Sequence, residues 1–324
     1  MPKILIVYPN LPLMMAPAIS VAIINSIAKS KGCKVKLFET TEYSEEYANK
    51  HIRMEEMGAV RPTAITDTES MFNIKSPNRI IPDFIECVDT FSPDIIMMSI
   101  QEDVWVQGIE LLKIISDRNI PNIVGGVLAI SDPEFVISHE LIDQICVFEG
   151  EQVVRDIIDC MRAGKDHKRV KGTWSKEGRE VIKNPPQPLV DVNQVIPDFD
   201  VFEDKRWQRA MGGRFFKSAV SLETYRGCPY NCTFCNSPNT RNQSKVLNIG
   251  NFLRRKSKDT IRKELTSLRE KYNPDIALII DDSFLARPAR EIYEFCDVWS
   301  EWKIPFWMNT RIENSKPEYL EAIK

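Results

Sequence analysis

Three cysteines, Cys228, Cys232 and Cys235, fall within eight residues in the order Cys-x3-Cys-x2-Cys. A run this tight can wrap three sulfurs around one soft metal centre. Gly227, just ahead of the first cysteine, can take backbone angles closed to other residues, and Pro229 stiffens the next step. No histidine follows His167, and Cys296 is the only later cysteine, so no fourth ligand is near in sequence. A structural zinc site uses four protein ligands, whereas three thiolates suit a [4Fe-4S] cluster with one iron open to a further ligand. Zinc completed by a distant Cys296 is the competing arrangement. A disulfide fits poorly, because three close thiols cannot pair evenly and nothing in the chain points to secretion.

The run Tyr225-Arg226-Gly227-Cys228-Pro229-Tyr230-Asn231-Cys232-Thr233-Phe234-Cys235 resembles the signature of the radical S-adenosylmethionine (radical SAM) enzymes, Cys-x3-Cys-x-aromatic-Cys. That resemblance implies that Cys228, Cys232 and Cys235 hold the cluster and that the open iron chelates the amino and carboxylate groups of SAM. It further implies SAM contacts from Tyr230 and Phe234, the latter in the aromatic slot near the adenine. Asp281-Asp282 closes a later apolar strand. Adjacent carboxylates at a strand end are costly unless they meet a cation or hydrogen-bond donors. In the resembling enzymes this segment meets the SAM ammonium; capping of the helix after Pro288 is the alternative. Arg311, beyond the next strand, looks like a family position facing the site, with a surface ion pair to Glu313 as its alternative.

The elements that must position these residues follow from the whole chain. Its 324 residues suggest about two domains. A net charge of −3 gives no reason to expect nucleic acid as a partner. No apolar run approaches the ~20 residues that span a bilayer, so no membrane is expected. Met1–Val7 is too short for a signal peptide and reads as a first strand. Eight cysteines, scattered apart from the trio, fit a reducing cytoplasm.

Over residues 1–165, strand and helix patterns alternate. Strands are predicted at Lys3–Tyr8, Val35–Phe38, Asp94–Ile100, Asn122–Val124 and Gln144–Phe148. Helices are predicted at Pro17–Lys31, Ile80–Phe91, Val104–Arg118, Pro133–Glu140 and Glu151–Ala163, with Glu42–Glu56 as a surface helix. Five such units in series imply a doubly wound parallel sheet, whose ligands sit beyond the carboxyl ends of its strands. Those ends carry Asn10-Leu11, Ser99-Ile100-Gln101-Glu102, Gly125-Gly126 and Glu149-Gly150-Glu151. Paired glycines let a ligand lie close to the backbone, or simply make a tight turn.

This half is similar to cobalamin-binding domains, whose pattern has Ser-x-Leu after one strand and Gly-Gly after the next; Ser99 and Gly125-Gly126 match. Gln101 replaces the leucine. The Asp-x-His-x-x-Gly that supplies a histidine to cobalt is absent, the first loop reading Pro9-Asn10-Leu11-Pro12-Leu13. None of His51, His139 or His167 falls there. The resemblance is to the cobalamin-binding radical SAM proteins, many of which lack that histidine, and Phe148-Glu149-Gly150-Glu151 resembles their acidic Gly-Glu turn.

Residues 166–214 read as a connector. It holds a hairpin turning at Lys176-Glu177-Gly178 and a proline-rich run anchored by Trp174, Val192, Ile196, Phe199 and Phe202. From 215 the strand–helix rhythm resumes. Strands are expected at Ala219–Thr224, Ile276–Ile280 and Ile304–Asn309, and helices at Lys258–Lys271, Ala289–Trp302 and from Ser315, with Ser315-x-x-Glu318 as a capping box. Residues 236–257 are expected to be a long, basic, solvated loop, with Arg254 or Arg255 facing an anionic substrate as the lesser option. Only three strand–helix units follow the connector, whereas the resembling partial barrel has six. The expectation is therefore an incomplete radical SAM (βα) barrel over 215–324 and a fragment of a longer protein.

The function implied by this resemblance is reductive cleavage of SAM at a [4Fe-4S] cluster with cobalamin as second cofactor, leading to methylation of a small molecule. An electron donor such as flavodoxin or ferredoxin would be the protein partner. Ring formation on a tetrapyrrole, a radical SAM enzyme without cobalamin, and a non-enzymatic cofactor-binding fragment are the alternatives.

Overall fold

The computed structural model describes residues 1–12, 16–43, 74–211 and 214–324. Strand β1 (Lys3–Tyr8) buries Ile4, Leu5, Ile6 and Val7 completely. Neighbouring side chains point to opposite faces, so burial of all four requires a sheet covered on both sides. β1 pairs in parallel with β2 (Lys34–Glu39) and β3 (Ile95–Ser99). β4 (Asn122–Gly125) and β5 (Gln144–Cys146) continue the parallel array. The connector hairpin, β6 (Thr173–Glu177) and β7 (Glu180–Lys183), turns at Gly178 and pairs antiparallel with β5. The result is one sheet in the order β2-β1-β3-β4-β5-β6-β7.

The helices α1 (Ile19–Ser30), α2 (Ile80–Phe91), α3 (Trp105–Ile114), α4 (Val127–Ser131), α5 (Pro133–Ser138) and α6 (Gly150–Arg162) cover this sheet. Ile4, Ile6, Ile95 and Met97 pack with α1 and α6, while Leu5, Val7, Ile96 and Met98 pack with the other four. The doubly wound architecture expected from the sequence is therefore present. Helix α4 was not expected; it is a single short turn begun by Gly126. The surface helix expected over Glu42–Glu56 lies, from residue 44 on, outside the described residues.

Downstream come β8 (Arg209–Met211), β9 (Arg214–Phe216), β10 (Ala219–Leu222), β11 (Tyr225–Arg226), α7 (Ser237–Val246), β12 (Arg254–Arg255), α8 (Lys258–Tyr272), β13 (Ile276–Ile279), α9 (Ala289–Trp299), β14 (Phe306–Met308) and α10 (Pro317–Ile323). Strands β10, β13 and β14 form a parallel sheet in that order. β11 pairs antiparallel with β12 and β8 with β9. The basic stretch 236–257 is not a continuous loop. It contains α7, begun by Ser237-Pro238 where proline's fixed φ suits a first turn, and the short strand β12. The last helix starts at Pro317 without the expected capping box, since Ser315 lies before its N-cap residue Lys316.

The connector carries the core from one sheet to the other. Phe199, Phe202 and Trp207 are buried in the same apolar cluster as Val21 and Ile27 of α1 and Leu265 and Leu268 of α8. Trp207 stacks on Tyr272 at 4.1 Å between ring centroids. Around them, Asp198 accepts from Lys29 at 2.7 Å, and Asp200 accepts from Lys271 at 3.1 Å and from Tyr272 at 2.7 Å. Both sheets are thus fastened to one strip of chain.

Candidate functional site

A cleft of about 410 Å³ opens where the carboxyl ends of the first sheet meet the second half of the chain. Tyr8, Ser99, Gln101, Gly125, Gly126 and Phe148 line it from the strand ends, and Glu223, Arg226, Thr240 and Phe252 from the facing side. Most of the remaining lining is aliphatic, from Ile19, Ile23, Met97, Ile130 and Val153. A mostly apolar cleft at strand ends with a few polar groups is the usual form of a small-molecule or cofactor site.

Two backbone features shape the floor. Gly126 has φ +97°, and a Cβ there would lie 2.5 Å from the Ile100 carbonyl oxygen. Glycine is needed because this turn packs against the loop after β3, whereas Gly125 would tolerate a side chain, its nearest neighbour being 3.6 Å away. Phe148 also has positive φ, 94°, unusual for a bulky residue and located at the cleft wall.

The acidic turn after β5 is engaged by two arginines from the other half. Arg226 Nη1 donates to Glu149 at 3.1 Å and Glu151 at 2.7 Å, while its Nε and Nη2 each donate to Glu223 at 2.9 Å. Arg254 donates to Glu149 at 2.5 and 2.8 Å and to the Val190 carbonyl at 2.7 Å. Burial opposes ionisation of Glu149, but Arg254, Arg226 and the Val190 N–H outweigh it, holding the carboxyl below its usual range. Burial likewise opposes the charge on Arg226, and the three carboxylates outweigh that too, so its guanidinium stays charged. Arg254 is therefore held within the protein, whereas Arg255 stays partly exposed while pairing with Glu294 at 2.8 Å, and neighbouring Lys256 pairs with Glu264 at 2.5 Å.

The cysteine loop leaves the cleft wall directly. Gly227 has φ +95°, and a Cβ there would sit 2.6 Å from the Phe252 carbonyl oxygen. Arg241 of α7 donates to the Cys228 carbonyl at 2.8 Å and also bonds Asn231. Cys235 N–H donates to the Cys232 carbonyl at 3.2 Å. Cys228 and Cys232 are half-buried, Cys235 is exposed and all three thiols are free. Burial, with the neighbouring acidic groups, raises the Cys228 thiol. Among the described residues no three His, Cys, Asp or Glu side chains are arranged to hold a metal ion. The side chains are thus not gathered, but the donor set, three soft thiols on one loop, fits an iron–sulfur cluster. Cys296, the fourth ligand of the zinc arrangement, packs against the core from α9.

Arg311 reaches this loop. Its Nη1 lies 3.3 Å from Cys232 Sγ, its guanidinium stacks 4.2 Å from the centre of the Tyr230 ring, and it pairs with Glu313 at 2.5 Å. The surface ion pair to Glu313 is present, and the same guanidinium also lies against the cysteine loop. Tyr230 donates its hydroxyl to Asn314 at 2.6 Å. Phe234 is 92% exposed, its ring projecting from the loop.

Asp281 departs from expectation. It is 2% exposed, and its carboxylate is occupied within the protein. It accepts from Thr224 N–H at 2.7 Å, Thr224 Oγ1 at 2.5 Å, Tyr225 N–H at 3.0 Å and Arg287 at 2.5 Å. The cation expected beside it is Arg287, not an ammonium of SAM, and its role is to fix the strand end that leads into the cysteine loop. Asp282 is exposed; the surrounding protein, then Asp281 and Glu223, push its carboxyl above the usual range. Neither aspartate caps α9, whose N-cap is Pro288. Three of the residues expected around cobalamin stand outside the cleft lining. Asn10 bonds Thr40 and Thr41, Leu11 is exposed beside it, and Glu102 is exposed at the head of the short turn Glu102–Val104. Arg226, Glu223, Thr240 and Phe252, which line the cleft from the facing side, were not singled out as site residues in the sequence.

Comparison with known proteins bears on this geometry. No family model matches the chain. It is similar to OxsB, a cobalamin-dependent SAM radical enzyme whose structure holds aqua-cobalamin and SAM, with a TM-score of 0.67 and 20% identity over 99% of this chain and 42% of that one. It is also similar to the radical SAM methyltransferase TsrM of Kitasatospora setae, solved with tryptophan and a SAM analogue, with a TM-score of 0.63 and 14% identity over 98% of this chain and 60% of that one. The fold is that of the cobalamin-dependent radical SAM enzymes. A further TsrM structure of this fold holds cobalamin and a [4Fe-4S] cluster. Among curated proteins, an uncharacterized methyltransferase of Pyrococcus horikoshii is 27% identical over 215 residues, 65% of this chain and 44% of that protein. The anaerobic magnesium-protoporphyrin IX monomethyl ester cyclase of Rubrivivax gelatinosus is 25% identical over 158 residues, 46% of this chain and 28% of that protein. The chain thus spans less than half the length of these curated relatives. Among the described residues no helix is long and apolar enough to cross a membrane.

Proposed function

We propose that this chain provides the cobalamin cleft and the cluster-holding loop of a radical SAM methyltransferase that acts on a small molecule. The observation that carries this reading is the continuity of the two sites: Arg226 lines the cleft and stands two residues before Cys228. Cys228, Cys232 and Cys235 would hold the [4Fe-4S] cluster, and Ser99, Gln101, Gly125 and Gly126 would flank cobalamin. When bound, the cluster supplies the electron that splits the sulfonium of SAM, and cobalamin carries the methyl group.

The remaining work falls to the chain's own side chains. The aliphatic lining of the cleft excludes water. Arg226 and Arg254 neutralise Glu149 and Glu151, so that the acidic turn does not present free charge to the cleft. Arg311, 3.3 Å from Cys232 Sγ, sets a donor and a positive charge against that sulfur. Asp282 keeps an exposed carboxyl for an ammonium group, and the free face of Phe234 offers a stacking surface for a purine. An electron donor such as flavodoxin or ferredoxin would approach the exposed rim of the cysteine loop.

The test is anaerobic reconstitution with iron and sulfide, followed by titration with hydroxocobalamin. The expected outcome is about four iron atoms per chain with a broad visible charge-transfer band, and saturable binding of one cobalamin. Cys232→Ala should reduce bound iron to background and abolish 5′-deoxyadenosine formation from SAM. Full cluster content in that variant, or zinc bound through Cys296, would overturn the reading.

A further inference from the structure

We propose that Arg226 is a positioning residue that couples the cleft to the cysteine loop, so that a ligand filling the first changes the exposure of Cys228 in the second. The inference rests on the cobalamin reading above and goes beyond it, since two cofactors can share a protein without either sensing the other.

The geometry points to this residue in particular. One guanidinium bonds three carboxylates from two places in the chain: Glu149 and Glu151 on the sheet side, Glu223 on the side of β10. All four residues line the cleft. Behind Arg226 the backbone has little slack. Gly227 is held in positive φ against the Phe252 carbonyl, where even a methyl group would collide, and Phe252 is itself a lining residue. Ahead of Arg226, Thr224 and Tyr225 are fixed by their N–H bonds to Asp281. A displacement of the Glu149 turn or of Phe252 therefore passes through Arg226 and Gly227 into Cys228. Arg254 makes a control. It grips the same Glu149 from β12, where it pairs across the strands with Arg226, but the chain does not run on from it into the cysteine loop.

Coupling of this kind is a free energy shared by two sites and must act equally in both directions. The experiment uses the full chain without iron, treated with iodoacetamide with and without saturating hydroxocobalamin. Alkylation is followed peptide by peptide, with Cys296 as internal reference. In the wild type, cobalamin should slow alkylation of Cys228 by about fivefold or more, the lower end of typical coupling. Arg226→Ala, which leaves Glu149, Glu151 and Glu223 without their shared partner, should bind cobalamin more weakly, but at saturation cobalamin should leave its Cys228 rate unchanged. Arg254→Ala should keep at least half of the response on a logarithmic scale. Should Arg226→Ala lose its far-ultraviolet circular dichroism, Arg226→Lys decides: a lysine cannot hold three carboxylates with a fixed fork, and most of the response should vanish. A wild-type protein that binds cobalamin with no change at Cys228, or an Arg226 variant that responds as the wild type does, overturns the coupling and leaves the cobalamin reading standing. A wild type that binds no cobalamin removes both.

Discussion

The cleft and the cysteine loop adjoin, yet they are built in opposite ways. The cleft is defined by packed strand ends, a glycine that admits no side chain, and an ion cluster in which each carboxylate and guanidinium has named partners. The loop is defined by a few backbone bonds, a guanidinium laid over Tyr230, and an aromatic ring standing in solvent. The difference teaches where each site draws its order. A cofactor cleft between domains can be shaped by the same burial that folds the domains. A thiolate site gains much of its order from the metal, whose binding energy is also folding energy. The neighbouring aspartates mark the border between the two regimes: Asp281 is locked into the frame, and Asp282 is left to solvent.

That border gives the sharpest way to break the comparison. Asp281→Ala strips Arg287 of its carboxylate, and the Arg287 side chain is 4% exposed. Removing one partner of a buried pair costs about 3–5 kcal/mol. Asp282→Ala should cost less than about 0.5 kcal/mol. Urea denaturation of the two variants measures both, and equal losses would mean that the frame does not end at Asp281.

A second test lies behind the cleft wall, where Lys256 and Glu264 are paired with both side chains 2% exposed. Burial pushes the Glu264 carboxyl up to about 7, against an opposing pull from Lys256. The folded protein then holds a proton on this group that the unfolded chain releases near pH 4.5. By linkage, its contribution to stability falls as pH rises from about 4.5 to 7 and is level above that. Glu264→Gln should remove this slope, a change of about 2–3 kcal/mol across the window, read as the urea midpoint against pH. A slope that persists in the variant would place the titration elsewhere.

Much of the frame was legible in the sequence because its signals are local. Continuous apolar runs marked β1 and β3 as strands, and the Ser257 start and Asn273 end of α8 obey ordinary capping chemistry. The cysteine trio was legible for the same reason. The ion cluster was not. Arg226 and Arg254 find Glu149 at separations of 77 and 105 residues, and no local pattern distinguishes an arginine bound for a distant carboxylate from one bound for water. Asp281 and Asp282 were read together because the chain presents them together; past the end of β13 one turns into the protein and the other out. The hairpin of residues 173–183 was visible, but its pairing with β5 depends on which edge of the sheet is open.

The glycine turn sharpens the comparison at smaller scale. Gly126→Ala introduces a methyl group 2.5 Å from a carbonyl oxygen at a positive φ, and should cost about 1–3 kcal/mol. Gly125→Ala meets only an ordinary contact and should leave the urea midpoint nearly unchanged. If hydroxocobalamin affinity falls in the first variant and holds in the second, the turn serves the cleft by fixing the loop after β3. If affinity falls equally in both, the ligand itself lies against Gly125.

The smallest effect on folding should come from Phe234, and it separates the two regimes most cleanly. A ring that is 92% exposed contributes almost no buried area, so Phe234→Ala should shift the urea midpoint by less than about 0.5 kcal/mol in stability. Stacking of a nucleobase on an aromatic ring is worth about 1–3 kcal/mol. The same variant, reconstituted with its cluster, should therefore bind SAM about fivefold to a hundredfold more weakly while its iron content stays at the wild-type level. A loss of affinity without a loss of stability is what a residue kept in solvent for a ligand produces. A loss of stability would mean that the ring packs against the protein in solution, and the loop would then belong to the frame.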